Sequence, residues 1–395
     1  MDPYSIFFKK FPMQLNLLPA QYINIKLKSK KDDKYDTLFI GGSEVGYLFD
    51  HNNGVFNKYF NIINLDYISS KNLYHLIKSY IKLHPETKNV YIIISCNSFF
   101  IAKSKDILEI TDSNYSIKEL LFLLLSKETT IESINKAKNN IRYFLINNFS
   151  KNFKNKKNSG YNGFCHYIFP NMPPIIFNNL KLYKEPLQNN IYYIEKTLQL
   201  LKDNKISYKI IFPPCHAIYL SLLYLDEDSY DLINQIKRYI TKISDNCIYD
   251  FAIINNYTTV DYKKNKYLFT EYSHPSLFFG MKIFKYFHDN ISEKDLFLKL
   301  DKNNIEKQLK YEKEKIKNYL EKNGIPDEYI NWNKYHSPNE NKMETQPVYF
   351  NDAPDYIKKE IRLYEYNQAK VMEEIRKGQY KKGKFDYKFY TEISD

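Results

Sequence analysis

The sequence predicts an α/β fold, a doubly wound three-layer α/β/α sandwich with a mostly parallel sheet, followed by a C-terminal helical extension. Three observations carry this expectation. Five short runs are apolar almost throughout, as strands buried on both faces are. Amphipathic stretches of helical period alternate with those runs, the pattern of a parallel sheet with crossover helices. Beyond about residue 290 the pattern turns purely helical.

The strand-like runs are "DTLFIG" (36–41), "FNIINL" (60–65), "NVYIIIS" (89–95), "SYKIIFPP" (207–214) and "YDFAIIN" (249–255). Each is bounded by turn residues or charges, and Asp250 is read as the start of the last one. Helical patterns fill the gaps at 70–84, 116–128, 131–149, 189–204, 217–225, 230–243 and 275–289. The segment 150–188 is rich in Asn, Lys and Pro and reads as a long excursion over a sheet edge. Three blocks follow from this layout: a lead-in over 1–34, an α/β domain over 35–320, and a charged helical extension over 325–395 built on the patterns 303–324 and 354–378. The extension carries no strand signal, and its charge density leaves too few apolar positions for a core of its own.

Composition narrows the function classes. The 395 residues hold 58 Lys+Arg against 46 Asp+Glu, a net charge of +12. The excess is mostly Lys spread along the whole length, and the compact basic runs at 150–160 and 380–388 are short, so solvated loops and tails are favoured over a nucleic-acid surface. The four cysteines, Cys96, Cys165, Cys215 and Cys247, show no C-x-x-C spacing, which points to free thiols and to no metal site. No window approaches the roughly 18 apolar residues of a spanning helix. A cytoplasmic, reducing compartment is the expectation for the chain as written, with cell-envelope association if an N-terminal anchor is missing.

The chemistry concentrates at "YDTLFIGGSEVGYLFD" (35–50). Two glycines adjoin at Gly41-Gly42 in a chain that has ten in all. They place Ser43 at the carboxyl end of the first strand and at the start of a helix, where open α/β sheets put their ligand crevice. A hydroxyl there is suited to nucleophilic attack, and the Ser43 N–H to oxyanion binding. The same turn also occurs as plain structure, and phosphate loops look similar, although no G-x-x-x-x-G-K-[ST] follows. A serine needs a base. Of eight histidines, His274 stands apart, just before a helix and three residues after Glu271, an offset that lets a carboxylate orient one imidazole nitrogen. A helix-capping Ser-His-Pro turn is the alternative. Cys215 and His216, after the fourth strand-like run, are read with Gly42 as crevice lining, because adjacent residues point apart and suit neither a joint metal site nor a thiol dyad.

"LFIGGSEVG" resembles the nucleophile block of the SGNH/GDSL hydrolases, and "FTEYSHPSLFFG" resembles their terminal D-x-x-H block. More narrowly, these blocks together with "NVYIIISCNSFF" and "YKIIFPPCHAIYL" resemble a DltD-like, cell-envelope-associated subset, and the stretch "DLFLKLDKNNIEKQL" (295–309), read as helical, resembles that subset's ending. The resemblance implies a flavodoxin-like version of the sandwich, with Ser43 as nucleophile, His274 as general base and then acid, and Glu271 as the orienting carboxylate. It also implies oxyanion donation by Ser43 N–H and Asn97. Departures from the family pattern are Glu271 for the usual Asp, Glu44 where the subset often has Arg, and no second-block glycine in "NLDYISSKN" (64–72).

The implied function is a serine esterase or O-acyltransferase, without cofactor, acting through a Ser43 acyl-enzyme on an acylated saccharide or cell-envelope polymer, with a membrane-associated partner and no nucleic acid. A catalytically lapsed scaffold or partner-binding protein of the same fold is the alternative, and a basic polyanion binder a third.

Overall fold

In the computed structural model, the described residues are 35–49, 56, 60–64, 68–95, 98–99, 167–168, 184–245, 248–260, 268–271, 274–291, 293–325, 346–347 and 355–376. The expected helices at 116–128 and 131–149, both basic runs, and Cys96, Asn97, Cys165 and Cys247 lie outside them. The chain divides into two compact units, one of Met1–Lys34, His75–Glu86 and Lys105–Ser159, the other of Tyr35–Tyr74, Thr87–Ser104 and Gly160–Asp395. In the first unit the described part is His75–Glu86, where the Tyr80 ring stacks on His84 at 4.5 Å.

The second unit is built on a six-stranded sheet in the order β2-β1-β3-β5-β6-β9. Strand β1 (Thr37–Gly41) pairs in parallel with β2 (Asn61–Asn64) on one side and β3 (Asn89–Ile93) on the other. β5 (Ser207–Phe212) and β6 (Ile248–Asp250) extend the parallel run beyond β3. Leu38, Ile40, Val90, Ile92, Ile93, Ile210, Ile211 and Phe212 are all at most 1% exposed, so the central strands are covered on both faces as their apolar runs predict. Each such side chain contributes about 1.5–3 kcal/mol.

Eight α-helices lie among the described residues: α1 (Ser43–Phe49), α2 (Ser70–Leu83), α3 (Lys184–Asp203), α4 (Ala217–Leu225), α5 (Glu227–Ile243), α6 (Leu277–Asp289), α7 (Ile305–Asn323) and α8 (Asp355–Arg376). Most match the sequence periods within three residues. α3 starts five residues before the expected 189, because Pro186 falls in the first turn, where its missing N–H has no helical partner to lose. α5 starts three residues early on Glu227 and Asp228, acids that favour a helix N-terminus. The start of α2 is tied down by Asn190, which accepts from the Ser70 N–H at 3.0 Å and donates to the Phe99 carbonyl at 2.9 Å.

Three strand features depart from expectation. The segment after residue 290 is not purely helical: β9 (Leu298–Leu300) closes one edge of the sheet antiparallel to β6. β7 (Phe269–Glu271) and β8 (His274–Pro275) form a small antiparallel ladder, and the extension supplies β10 (Gln346–Pro347), which pairs with β4 (Tyr167–Ile168). All are two or three residues long, too short to show a period of two. The extension also buries side chains: Ile357, Leu363 and Tyr364 of α8 are fully covered, and Glu360 meets Lys285 of α6 at 2.7 Å.

Asp250 ends β6 instead of starting a strand, and it is fully buried. Its charge is met by Lys237 of α5, whose Nζ lies 2.6 Å from Asp250 Oδ2 and 3.3 Å from Glu312 Oε2 of α7. Two carboxylates thus share one buried ammonium. Burial pushes the Glu312 carboxyl up to about 7, with Lys237 pulling the other way and Asp250 adding to the rise. A carboxyl raised from its unfolded value of 4.5 binds more protons in the folded state, so its contribution is complete below about pH 4.5 and is lost as pH climbs through about 7. Melting temperatures measured from pH 5 to 8 should therefore fall more steeply for the natural protein than for Glu312→Gln. The variant should gain on the order of 3 kcal/mol relative to the parent over that window. Parallel curves would rule out Glu312 as the titrating group.

Candidate active site

At the exit of β1 the chain has almost no room. A Cβ on Gly41 would stand 2.2 Å from the Ile93 carbonyl oxygen of β3, and one on Gly42 would stand 2.5 Å from the Glu44 carboxylate. Neither glycine has left-handed backbone among the described residues. Gly41 is demanded by the Ile93 backbone, whereas the atom facing Gly42 is the far end of the Glu44 side chain; the turn falls where the sequence pattern places it. Gly42 is buried and its carbonyl accepts from the Val45 N–H at 3.1 Å, closing the first turn of α1.

β2 and β3 flank β1 on opposite sides, so the order of the sheet reverses at β1, the position at which open α/β sheets hold ligands. Ser43 is the first residue of α1 at that point, half-buried. Its Oγ lies 2.7 Å from Nε2 of His274, 231 residues later in the chain. His274 opens β8 and is itself half-buried, directly before Pro275 and the Ser276 cap of α6. The β7–β8 register sets Glu271 opposite His274, with an irregularity between Phe269 and Glu271. The Glu271 side chain and Asn97 lie outside what the structure describes.

A residue the sequence reading passed over completes the site's wall. Tyr47 sits one turn after Ser43 on the same face of α1, 40% exposed, with its ring centroid 4.7 Å from that of His274. The signal was there: a large aromatic four residues from the serine on a short helix.

Cys215 and His216 take different places from the open crevice expected of them. His216 is 1% exposed and caps α4, its Nδ1 accepting from the Ile218 N–H at 3.1 Å, which leaves Nε2–H to donate to the Val260 carbonyl at 2.7 Å. Its ring meets Phe269 of β7 edge-on at 5.5 Å, so it steadies the ladder that carries His274. Cys215 is buried and lines a small pocket with Phe212, Leu220 and Leu223. No cluster of His, Cys, Asp and Glu suited to a metal occurs among the described residues, and none of their helices is long and apolar enough to cross a membrane.

What holds Ser43 against His274 is the packing of α1 on α6. A Cβ on Gly280 would fall 1.6 Å from the Leu48 carbonyl oxygen, so the two helices meet backbone to backbone. Behind them Phe39, Phe49, Phe56, Phe284 and Tyr364 form one aromatic cluster, with Phe49–Phe56 at 5.3 Å, Phe56–Phe284 at 5.4 Å and Phe56–Tyr364 at 5.8 Å. The cluster joins β1, α1, α6 and α8.

No family model matches the chain, and no curated protein matches it. Among solved structures it is similar to a chain from Streptococcus pneumonia provisionally named a platelet activating factor, at 11% identity and a TM-score of 0.34, over 69% of this chain and 94% of that one. It is also similar to a chain from Bacteroides fragilis NCTC 9343 provisionally named an acylhydrolase, at 11% identity and a TM-score of 0.34, over 76% and 100% of the two.

Gly280→Ala should force α1 from α6. The expected result is a loss of roughly 1–3 kcal/mol in denaturant unfolding, as for other overpacked sites, together with weaker labelling of Ser43 by serine-directed reagents. Unchanged stability would show that the helices accommodate a methyl group at this contact.

Proposed function

We propose that the chain is a serine hydrolase or acyltransferase of the SGNH type acting on ester bonds, and that its sheet and helices form the three-layer α/β/α sandwich of that group. The observation that carries this reading is the 2.7 Å contact between Ser43 Oγ and His274 Nε2 at the point where the strand order reverses. Nucleophile and base within hydrogen-bond reach, at a helix start beyond a parallel strand, form the working unit of acyl transfer. The division into a 1–34 lead-in, a 35–320 block bearing the site and a 325–395 extension belongs to the same reading, with α8 docked on α6.

In this mechanism Ser43 Oγ attacks the ester carbonyl while His274 Nε2 takes its proton. The oxyanion forms beside the Ser43 N–H, one of the amides that a helix start leaves without a partner, with Asn97 as the proposed second donor. His274 then protonates the departing alcohol, leaving an acyl group on Ser43. A water or a sugar hydroxyl gives its proton to the same nitrogen and attacks the acyl carbon; the bond to Ser43 Oγ then breaks, and His274 returns the proton to the serine oxygen. Glu271 is proposed to hold the imidazole in the correct tautomer and to stabilise its charged form. The proposed substrate is an acylated saccharide or cell-envelope polymer, without cofactor or nucleic acid.

Fluorophosphonate labelling of folded protein tests the reading. Capture at Ser43, lost in Ser43→Ala, is expected. Glu271→Gln should keep the fold and lower ester turnover on the order of 10⁴-fold, since an amide can neither set the tautomer nor stabilise imidazolium. Glu271→Asp should retain more activity than Glu271→Gln. No labelling of well-folded protein would favour the lapsed scaffold, and full activity in both Glu271 variants would move the acid role elsewhere.

A further inference from the structure

Helix α1 sorts its residues by face. Glu44, Val45, Leu48 and Phe49 are buried, while Ser43 and Gly46 are half-buried and Tyr47 is 40% exposed. Residues four apart lie one above the other on a helix, so the Tyr47 ring stands beside the serine on the face turned away from the core. Gly46 carries no side chain to cover either. The ring is held on that face. Its centroid lies 4.7 Å from that of the His274 imidazole, with the two planes tilted by 51°. Its chain neighbour Leu48 is the residue whose carbonyl meets Gly280 of α6. The helix contact that sets Ser43 against His274 therefore sets Tyr47 against it as well.

We infer that Tyr47 is a positioning residue for proton transfer, its ring keeping the imidazole turned toward Ser43 and favouring the charged form of that imidazole. The inference rests on the hydrolase reading above. When Ser43 attacks, its proton moves to His274 Nε2, so positive charge appears on the imidazole as negative charge appears on the ester oxygen. Before that step the Tyr47 ring meets a neutral imidazole, an ordinary aromatic contact. During the step it meets a cation, at a separation inside the roughly 6 Å over which a ring attracts one. An interaction that strengthens as the charge develops lowers the barrier, whereas one of constant strength does not. The elements packed most closely on β8 are α1 and β7, and their ionisable side chains are Glu44, Tyr47 and Glu271. Glu44 folds back over Gly42, and Glu271 stands opposite His274 in the ladder. Both carboxylates favour a charged imidazole too, so the test alters Tyr47 alone.

The rate of Ser43 labelling by diisopropyl fluorophosphate, followed by intact-mass spectrometry from about pH 5 to about pH 9, tests this. In labelling, the Ser43 Oγ–P bond forms, the P–F bond breaks, fluoride leaves and the serine proton passes to His274. The second-order rate should climb to a plateau as the imidazole loses its proton. Tyr47→Leu should lower the plateau about fivefold and move the midpoint down by about half a pH unit, because the charged imidazole loses a stabilising ring. Tyr47→Phe, which keeps the ring and removes the hydroxyl, should restore most of both. A lower plateau at an unmoved midpoint would make the ring a packing element, and it would overturn the inference while leaving the hydrolase reading standing. Identical profiles for the natural protein and Tyr47→Leu would do the same. An equal loss in both variants would assign the effect to the hydroxyl and overturn the ring's role. Absence of labelling on natural protein with a cooperative melt would overturn the hydrolase reading and this inference together.

Discussion

The backbone contact between α1 and α6 at Leu48 and Gly280 is the constraint on which the rest of the site depends. Ser43 begins α1 and His274 lies three residues before α6, so the distance between hydroxyl and imidazole is set by how closely these two helices approach. A side chain of any size at residue 280 would separate them. The aromatic cluster behind the helices turns that close approach into a fixed one, since each ring is in contact with others on separate elements. Dense interiors of this kind shift as blocks and not atom by atom, which suits a pair of groups that must stay within hydrogen-bond distance.

Electrostatics serve a separate part of the molecule. The Lys237, Asp250 and Glu312 group clamps α5, β6 and α7 together at the far end of the same sheet edge. Removing the Lys237 charge alone would leave two buried carboxylates uncompensated, a costly change, whereas neutralising Glu312 leaves Lys237 paired with Asp250. Lys285 and Glu360 repeat the device between α6 and α8 at 2.7 Å, where burial lowers the lysine's pKa and the carboxylate opposes the drop.

Much of this was legible in the sequence. Four of the five apolar runs emerge as parallel strands, because strands buried on both faces must be apolar at nearly every position; the fifth, 249–255, begins in β6, which ends at Asp250, and continues as buried non-strand chain. The adjacent glycines mark the β1 exit, although crowding by the Ile93 backbone, not an unusual backbone angle, is what requires Gly41. Ser43 and His274 are singled out by motif and order, and the structure brings them together across 231 residues. What was hidden depends on tertiary partners. Nothing local distinguishes "LKL" in β9 from the helix-forming residues around it. Lys237 and Glu312 read as ordinary charged positions on amphipathic helices until α5 and α7 are seen to face one another. His216 reads as a free ring until Val260 and Ile218 take both its nitrogens.

The wide separation of Ser43 and His274 in the chain has a consequence for when the molecule becomes what it is. A contact that closes a loop of this length forms only after the intervening strands have paired, because the entropy of bringing the ends together must be offset by structure already made. During synthesis the serine is made 231 residues before the histidine. Tyr364, which caps the cluster behind both, comes later still. A nascent chain that has not reached His274 therefore lacks the partner of the Ser43 hydroxyl, and their contact belongs to the assembled sheet and helices.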